Sequence, residues 1–205
     1  MASAPLAPAA VTATPHQQAF LDALKALGQA LGEIEAPSMI IGGVAVIALG
    51  VPRLTVDIDA TVAAVALDLE GLADTLGRHG IHARIPDALA FARAHQAFLC
   101  VHESSGTPVD ISLAWLPFED DALRSRQTCD YAGVLIHVPR AEDLVIYKLI
   151  AARPRDIEDA EGLLVLHAGA IDLARVREVV RQFAAALDEP ERPQALENLI
   201  RKLGL

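Results

Sequence analysis

A chain of 205 residues that is 53% hydrophobic and 21% charged has enough apolar material for one sizeable core. Its formal net charge of −10 speaks against coating nucleic acid by diffuse electrostatics, which needs many Lys and Arg contacts to phosphate, but leaves room for a local basic groove holding one RNA end. Cys100 and Cys129 have no metal-ligand spacing and follow no secretory signal, so a reduced, cytoplasmic setting is expected, with both thiols as small core residues.

Residues 1–15, rich in Ala, Pro and Thr, lack periodicity and charge and read as a flexible leader. They carry no Arg or Lys, which disfavours an export or import signal, and no membrane role is expected. Residues 16–34 place Phe20, Leu24, Leu27 and Leu31 at helical spacing, a first helix laid over a sheet.

Met39, Ile40 and Ile41 read as a short buried strand, and 44–49 as a turn or two of helix. Gly42 and Gly43 lie at the handover, where free N–H groups attract anions and a missing Cβ admits a phosphate; taken alone, the pair reads first as a tight turn chosen for its φ angles. Over 54–62 the residues Thr55, Asp57, Asp59 and Thr61 alternate with Val56, Ile58, Ala60 and Val62, predicting a strand with one polar and one core face. Asp57 and Asp59 then point the same way with Cα atoms roughly 6.5 to 7 Å apart, either holding a hard divalent cation such as Mg²⁺ or forming a solvated face.

Gly42-Gly43 followed by Arg53-x-Thr55-x-Asp57-x-Asp59 resembles the signature of the minimal nucleotidyltransferases of the DNA polymerase β superfamily, in particular the group with abortive-infection-type toxins. Many superfamily members have Gly-Ser where this chain has Gly-Gly, a pair common in the toxin-like branch. The resemblance implies an α+β fold: a polymerase β-like core of mixed sheet flanked by helices over 16–140, and a C-terminal helical region over 141–205. It also implies a nucleoside triphosphate substrate, a two-ion Mg²⁺ site, and a hydroxyl acceptor on tRNA, a protein or a small molecule. A toxin role with an antitoxin partner would follow.

Farther along, 67–79 reads as an amphipathic helix ended by Gly80, 81–85 as a short strand, 87–95 as a helix, and 97–102 and 109–115 as the arms of a hairpin. On the second arm Asp110 and Ser112 face opposite to Val109, Ile111 and Leu113. By resemblance Asp110 is the third metal carboxylate; without it, an ordinary strand-edge acid. Trp115 reads as core or rim packing. Glu119, Asp120 and Asp121 open, and Arg124 and Arg126 close, a segment whose charges complement a helix dipole. Residues 134–138 form a further strand after a turn at Gly133.

The block 142–159 resembles the second signature of the toxin-like group, a helix carrying Lys148 and then Arg155-Asp156 with Asp159 three residues on. Lys148 stands in an apolar stretch and needs an anionic partner, a triphosphate or a nearby carboxylate. Pro154 breaks the helix, and Asp156 and Asp159 share one face of the next, Asp156 to position Lys148 or an acceptor, Arg155 and Asp159 available as an interhelix ion pair. Two more amphipathic helices, 172–187 and 191–203, form a tail, and the seven scattered histidines show no zinc arrangement.

The candidate set is therefore Asp57, Asp59 and Asp110 for metal, with Lys148, as the catalytic group. Gly42, Gly43, Arg53, Thr55, Lys148 and Asp156 are the candidates for the nucleotide. Two other readings stay open. Asp57-Ile58-Asp59-Ala60-Thr61-Val62 also matches the nucleophile motif of haloacid-dehalogenase-like phosphatases, with Asp57 phosphorylated and Asp59 as acid and base, although that motif ends a long apolar strand. The third reading is a catalytically silent nucleotidyltransferase-like binding module.

Overall fold

The computed structural model describes residues 14–205. The expected leader lies outside the described residues except at its end, where Thr14 and Pro15 open the first helix, α1 (Pro15–Gly32). Thr14 Oγ1 accepts from the Gln17 amide at 3.2 Å and Gln17 Oε1 accepts from the Thr14 amide at 2.9 Å, a reciprocal cap that fixes the helix start. Phe20, Leu24, Leu27 and Leu31 all point into the core, as their spacing predicts.

The sheet is built from β1 (Ser38–Ile41), β2 (Ile58–Ala63), β3 (Ile81–Ala83), β4 (Ala97–His102) and β5 (Pro108–Ala114) in the order β1-β2-β5-β4-β3. Only β2 and β5 run parallel; the other pairs are antiparallel, so the sheet is mixed. The short α2 (Gly42–Ala48) links β1 to the approach to β2, while α3 (Leu69–Arg78) and α4 (Ala88–His95) flank β3 in sequence. Gly80, at φ +71°, takes the left-handed position after α3 that ends the helix.

The second half runs α5 (Pro117–Arg124), β6 (Gln127–Tyr131), β7 (Val134–Val138), α6 (Ala141–Ala151), α7 (Pro154–His167), α8 (Leu173–Leu187) and α9 (Glu191–Leu203). Side chains from α1 through α9 share one hydrophobic core. α6 is apolar almost all round and correspondingly buried, with Leu144, Val145, Ile146 and Leu149 all in that core. Asp143 is fully buried there, hydrogen-bonded by Arg140 Nε at 3.1 Å and charge-paired with Arg175 Nη1 of α8 at 2.8 Å without hydrogen-bond geometry, a contact that ties the two helices together. Cys100 is a core residue as expected, and burial, with the Asp110 charge second, pushes its thiol up to about 12.

Several local expectations need correction. β6 is a strand that periodicity alone did not reveal; it pairs with β7 as a separate hairpin whose turn is closed by Asp130 Oδ1 accepting from the Gly133 amide at 2.9 Å. β2 begins at Ile58, not Leu54, because neither neighbour extends far enough to pair the earlier residues. Over 51–57 the chain is an irregular loop that turns Arg53, Thr55 and Asp57 inward and leaves Leu54 84% and Val56 67% exposed, the inverse of the expected core face. Trp115, expected in the core or at its rim, is 64% exposed because it stands past the end of β5 where the chain turns into α5. Among the described residues no helix is long and apolar enough to cross a membrane.

Glu119 also does more than complement the α5 dipole. It is buried, its Oε2 accepts from the amides of Trp115 and Leu116 at 3.1 Å each, and its Oε1 accepts from the Tyr147 hydroxyl at 3.4 Å. Burial pushes its carboxyl pKa up while those hydrogen bonds oppose the rise. Glu119→Ala strands two amides at the β5–α5 junction and should cost about 1–3 kcal/mol in urea denaturation. Asp120→Ala, lacking such contacts, should stay within about 0.5 kcal/mol.

Candidate active site

The register of the sheet places the carboxylates. Asp59 pairs with Ile41 on one side and Asp110 on the other, and Asp110 pairs in turn with Leu99 of β4. Adjacent strands lie roughly 4.8 Å apart, so Asp59 and Asp110 are immediate neighbours on one edge of a cleft. Asp57 stands two residues before Asp59, at the mouth of the same cleft, with its Oδ1 accepting from Thr55 Oγ1 at 2.8 Å. The cleft encloses about 600 Å³, and every candidate residue, Gly42, Gly43, Arg53, Thr55, Asp57, Asp59, Asp110, Lys148 and Asp156, lines it.

The diglycine corner packs directly on these acids. Gly42 has φ +60°, a conformation that favours glycine, and a Cβ there would collide with the Asp59 carboxylate. A Cβ on Gly43 would stand 2.5 Å from Thr55 Oγ1. Thus the turn explanation holds for Gly42, whose missing Cβ also lets the backbone approach Asp59, while Gly43 makes room for Thr55 and Arg53.

Charge is unbalanced along that edge. Burial first, then the negative charges of Asp57 and Asp110, raise the Asp59 pKa from 3.8 to about 6. Oxygen-only donors of this kind suit Mg²⁺ in preference to zinc, and a cation would relieve the repulsion. Among the described residues no three His, Cys, Asp or Glu side chains converge closely enough to form a ready-made metal cage. Asp110 is engaged by Arg84, just beyond β3, which forks both its oxygens, with Nη2 to Oδ2 at 3.0 Å. The donor set therefore fits a cation held by Asp57 and Asp59 together with waters and substrate phosphates.

The opposite wall is cationic but internally compensated. Lys148 Nζ lies 3.0 Å from Asp156 Oδ1 and 2.9 Å from Asp159 Oδ2, all three buried. Arg53 also pairs with Asp159, which thereby bridges the two cations. Carboxylate partners for Lys148 are therefore at hand, and Asp156 and Asp159 share a face as expected. The possible Arg155–Asp159 pair does not form; Arg155 donates instead to the Leu54 carbonyl, pinning the 51–57 loop to α7. Arg84 had no signal in the sequence, because its partnership with Asp110 depends on the register of two hairpin arms. Asp159 was visible as an acid but not as the bridge.

No protein family and no curated relative matches this sequence. Solved structures do match. The antibiotic-resistance factor ANT(2'')-Ia, in its solution structure, is 20% identical over 83% of this chain and 94% of its own, with a TM-score of 0.58. The same protein in complex with adenylyl-2''-tobramycin aligns over 83% of this chain and 98% of its own at 20% identity and a TM-score of 0.56. JHP933 from Helicobacter pylori aligns over 92% of this chain and 94% of its own, at 14% identity and a TM-score of 0.50. The fold is the nucleotidyltransferase fold. Within that nucleotidyltransferase fold, the mixed sheet and flanking helices are those expected from the sequence.

The raised Asp59 pKa has a stability consequence whose sign is fixed. The native state holds the Asp59 proton more tightly than the unfolded chain, so stability falls as pH rises from 3.8 to about 6 and stays reduced above. At about 1.4 kcal/mol per unit, the penalty above that window is on the order of 2 to 3 kcal/mol. Asp59→Asn should therefore unfold at higher urea than the parent chain at pH 8 and at nearly the same urea at pH 4. A variant equally destabilised at both pH values would contradict this.

Proposed function

We propose that this chain is a Mg²⁺-dependent nucleotidyltransferase that moves a nucleoside monophosphate from a nucleoside triphosphate to a hydroxyl acceptor. The observation that carries the reading is the side-by-side placement of Asp59 and Asp110 in one cleft with the diglycine corner and Lys148. Asp57 and Asp59 would hold the cation, which neutralises phosphate charge and polarises the α-phosphate. Gly42 and Gly43 present backbone to the phosphates, and Lys148 and Arg53 supply positive charge once the triphosphate competes with Asp156 and Asp159 for them. Thr55 holds the Asp57 carboxylate in place. The acceptor oxygen attacks the α-phosphorus as the bond to the bridging oxygen of pyrophosphate breaks. In this reading Asp110 receives the hydroxyl proton, and pyrophosphate leaves with the electron pair.

Support for this reading over the phosphatase comes from where the acids stand. The phosphatase motif ends a strand, whereas Asp57 precedes β2 and Asp59 is its second residue. For the acceptor, the net charge of −10 favours a small cationic or neutral alcohol over a nucleic acid, whose phosphates would be repelled in approach. The likeness to a structure holding adenylyl-2''-tobramycin supports the same class.

The test is incubation with each α-labelled nucleoside triphosphate and Mg²⁺ in the presence of RNA, protein and small amino-alcohol acceptors. Label should appear on a small acceptor, and Asp57→Ala and Asp59→Ala should each lower transfer by at least about 10³-fold. Label on tRNA or protein would point to the toxin role instead. Phosphate release through a trapped aspartyl phosphate would favour the phosphatase, and no transfer by a folded chain would favour the silent module.

A further inference from the structure

The carboxylate Asp110 carries a partner that the nucleotidyl-transfer reading does not use. Arg84 follows β3, its backbone amide donates to the Leu99 carbonyl at 3.0 Å, and Leu99 in turn is the register partner of Asp110. Arg84, Leu99, Asp110 and Asp59 therefore form one row across the sheet. From the far end of that row the guanidinium reaches over Leu99 and grips both Asp110 oxygens, while its Nη1 also donates to the Cys100 carbonyl at 2.9 Å. The second hydrogen bond anchors the fork to the sheet, so Arg84 is a fixed cation and not a wandering surface side chain.

We infer that Arg84 takes the place of a second divalent cation, so that the cleft binds a single metal ion with its nucleotide and Asp110 works as a carboxylate already neutralised by an arginine. The inference rests on the nucleotidyl-transfer reading and concerns its stoichiometry. Three carboxylates free of other partners would offer oxygen ligands enough for two divalent ions. With both Asp110 oxygens forked by Arg84, only Asp57 and Asp59 keep carboxylate oxygens free of a cation, a ligand pair for one divalent ion, while Lys148 and Arg53 face the phosphates. Asp110 keeps lone pairs outside the bidentate fork and can still accept a hydrogen bond from an acceptor hydroxyl. Asp59, whose neighbours in the row are Ile41 and Asp110, has no such fork, which is why the cation is expected on its side of the row.

The test counts Mn²⁺ by loss of the free-ion electron paramagnetic resonance signal, titrating the full chain with an α,β-methylene nucleoside triphosphate that cannot transfer. The parent chain and Arg84→Lys should each saturate at one Mn²⁺ per chain. Arg84→Gln, which keeps the side-chain stem but frees Asp110, should take up a second Mn²⁺ at least tenfold more tightly than any second ion in the parent. Should Arg84→Gln fold poorly, Asp110→Asn gives an independent readout, since one Mn²⁺ must still bind when Asp110 is not a ligand. Two ions on the parent chain, or an unchanged count in Arg84→Gln, overturns the inference while leaving nucleotidyl transfer intact. A folded chain that binds neither Mn²⁺ nor the analogue overturns the reading and the inference together.

Discussion

The parallel pairing of β2 with β5 sets Asp59 directly across from Asp110, and two like charges on adjacent strands are a standing electrostatic cost. At a separation of about 5 Å and an effective dielectric constant near 20, such a pair repels by about 3 kcal/mol. A β-sheet offers no local means of separating them, because the register that aligns Asp59 with Asp110 also aligns Ile58, Ala60 and Val62 with Val109, Ile111 and Leu113 in the core. Slipping the strands by one residue to relieve the acids would turn those apolar side chains out of the core. The hydrophobic core therefore enforces a local charge problem, and the surrounding residues respond to it.

Each acid is handled differently. Asp110 is matched by Arg84, Asp57 is hydrogen-bonded by Thr55, and Asp59 is left to hold its proton up to about pH 6. Across the cleft the arrangement is reversed: the cations Lys148 and Arg53 are prevented from repelling each other by the shared carboxylate of Asp159. The acidic edge thus keeps Asp57 and Asp59 without a cationic partner and faces a cationic wall paired with its own acids. A ligand that brings a cation and several phosphates fits both at once, replacing weaker internal pairings with stronger ones.

Much of this was legible in the sequence because it rests on local patterns. The apolar run at 39–41, the two glycines, and the alternation through Asp110 and Ser112 each fix an element by themselves, and β4, α8 and α9 follow from period and caps. What was not legible depends on which strand lies beside which. Arg84 reaches Asp110 only because β4 pairs with β3 on one side and with β5 on the other in one particular register, and β6 is a strand only because β7 pairs with it. The loop before β2 was misread for the same reason: Val56 alternates like a strand residue, but no neighbouring strand reaches it, so it is free to face solvent.

The most direct measurement is a crystal structure of the full chain with Mn²⁺ and a non-transferable nucleoside triphosphate analogue, using the anomalous signal to place the metal. The account predicts a peak between Asp57 and Asp59, phosphates against the Gly42–Gly43 backbone, and Lys148 turned from Asp159 onto phosphate oxygen. A nucleotide bound outside this cleft, or a metal site that excludes both Asp57 and Asp59, would contradict it.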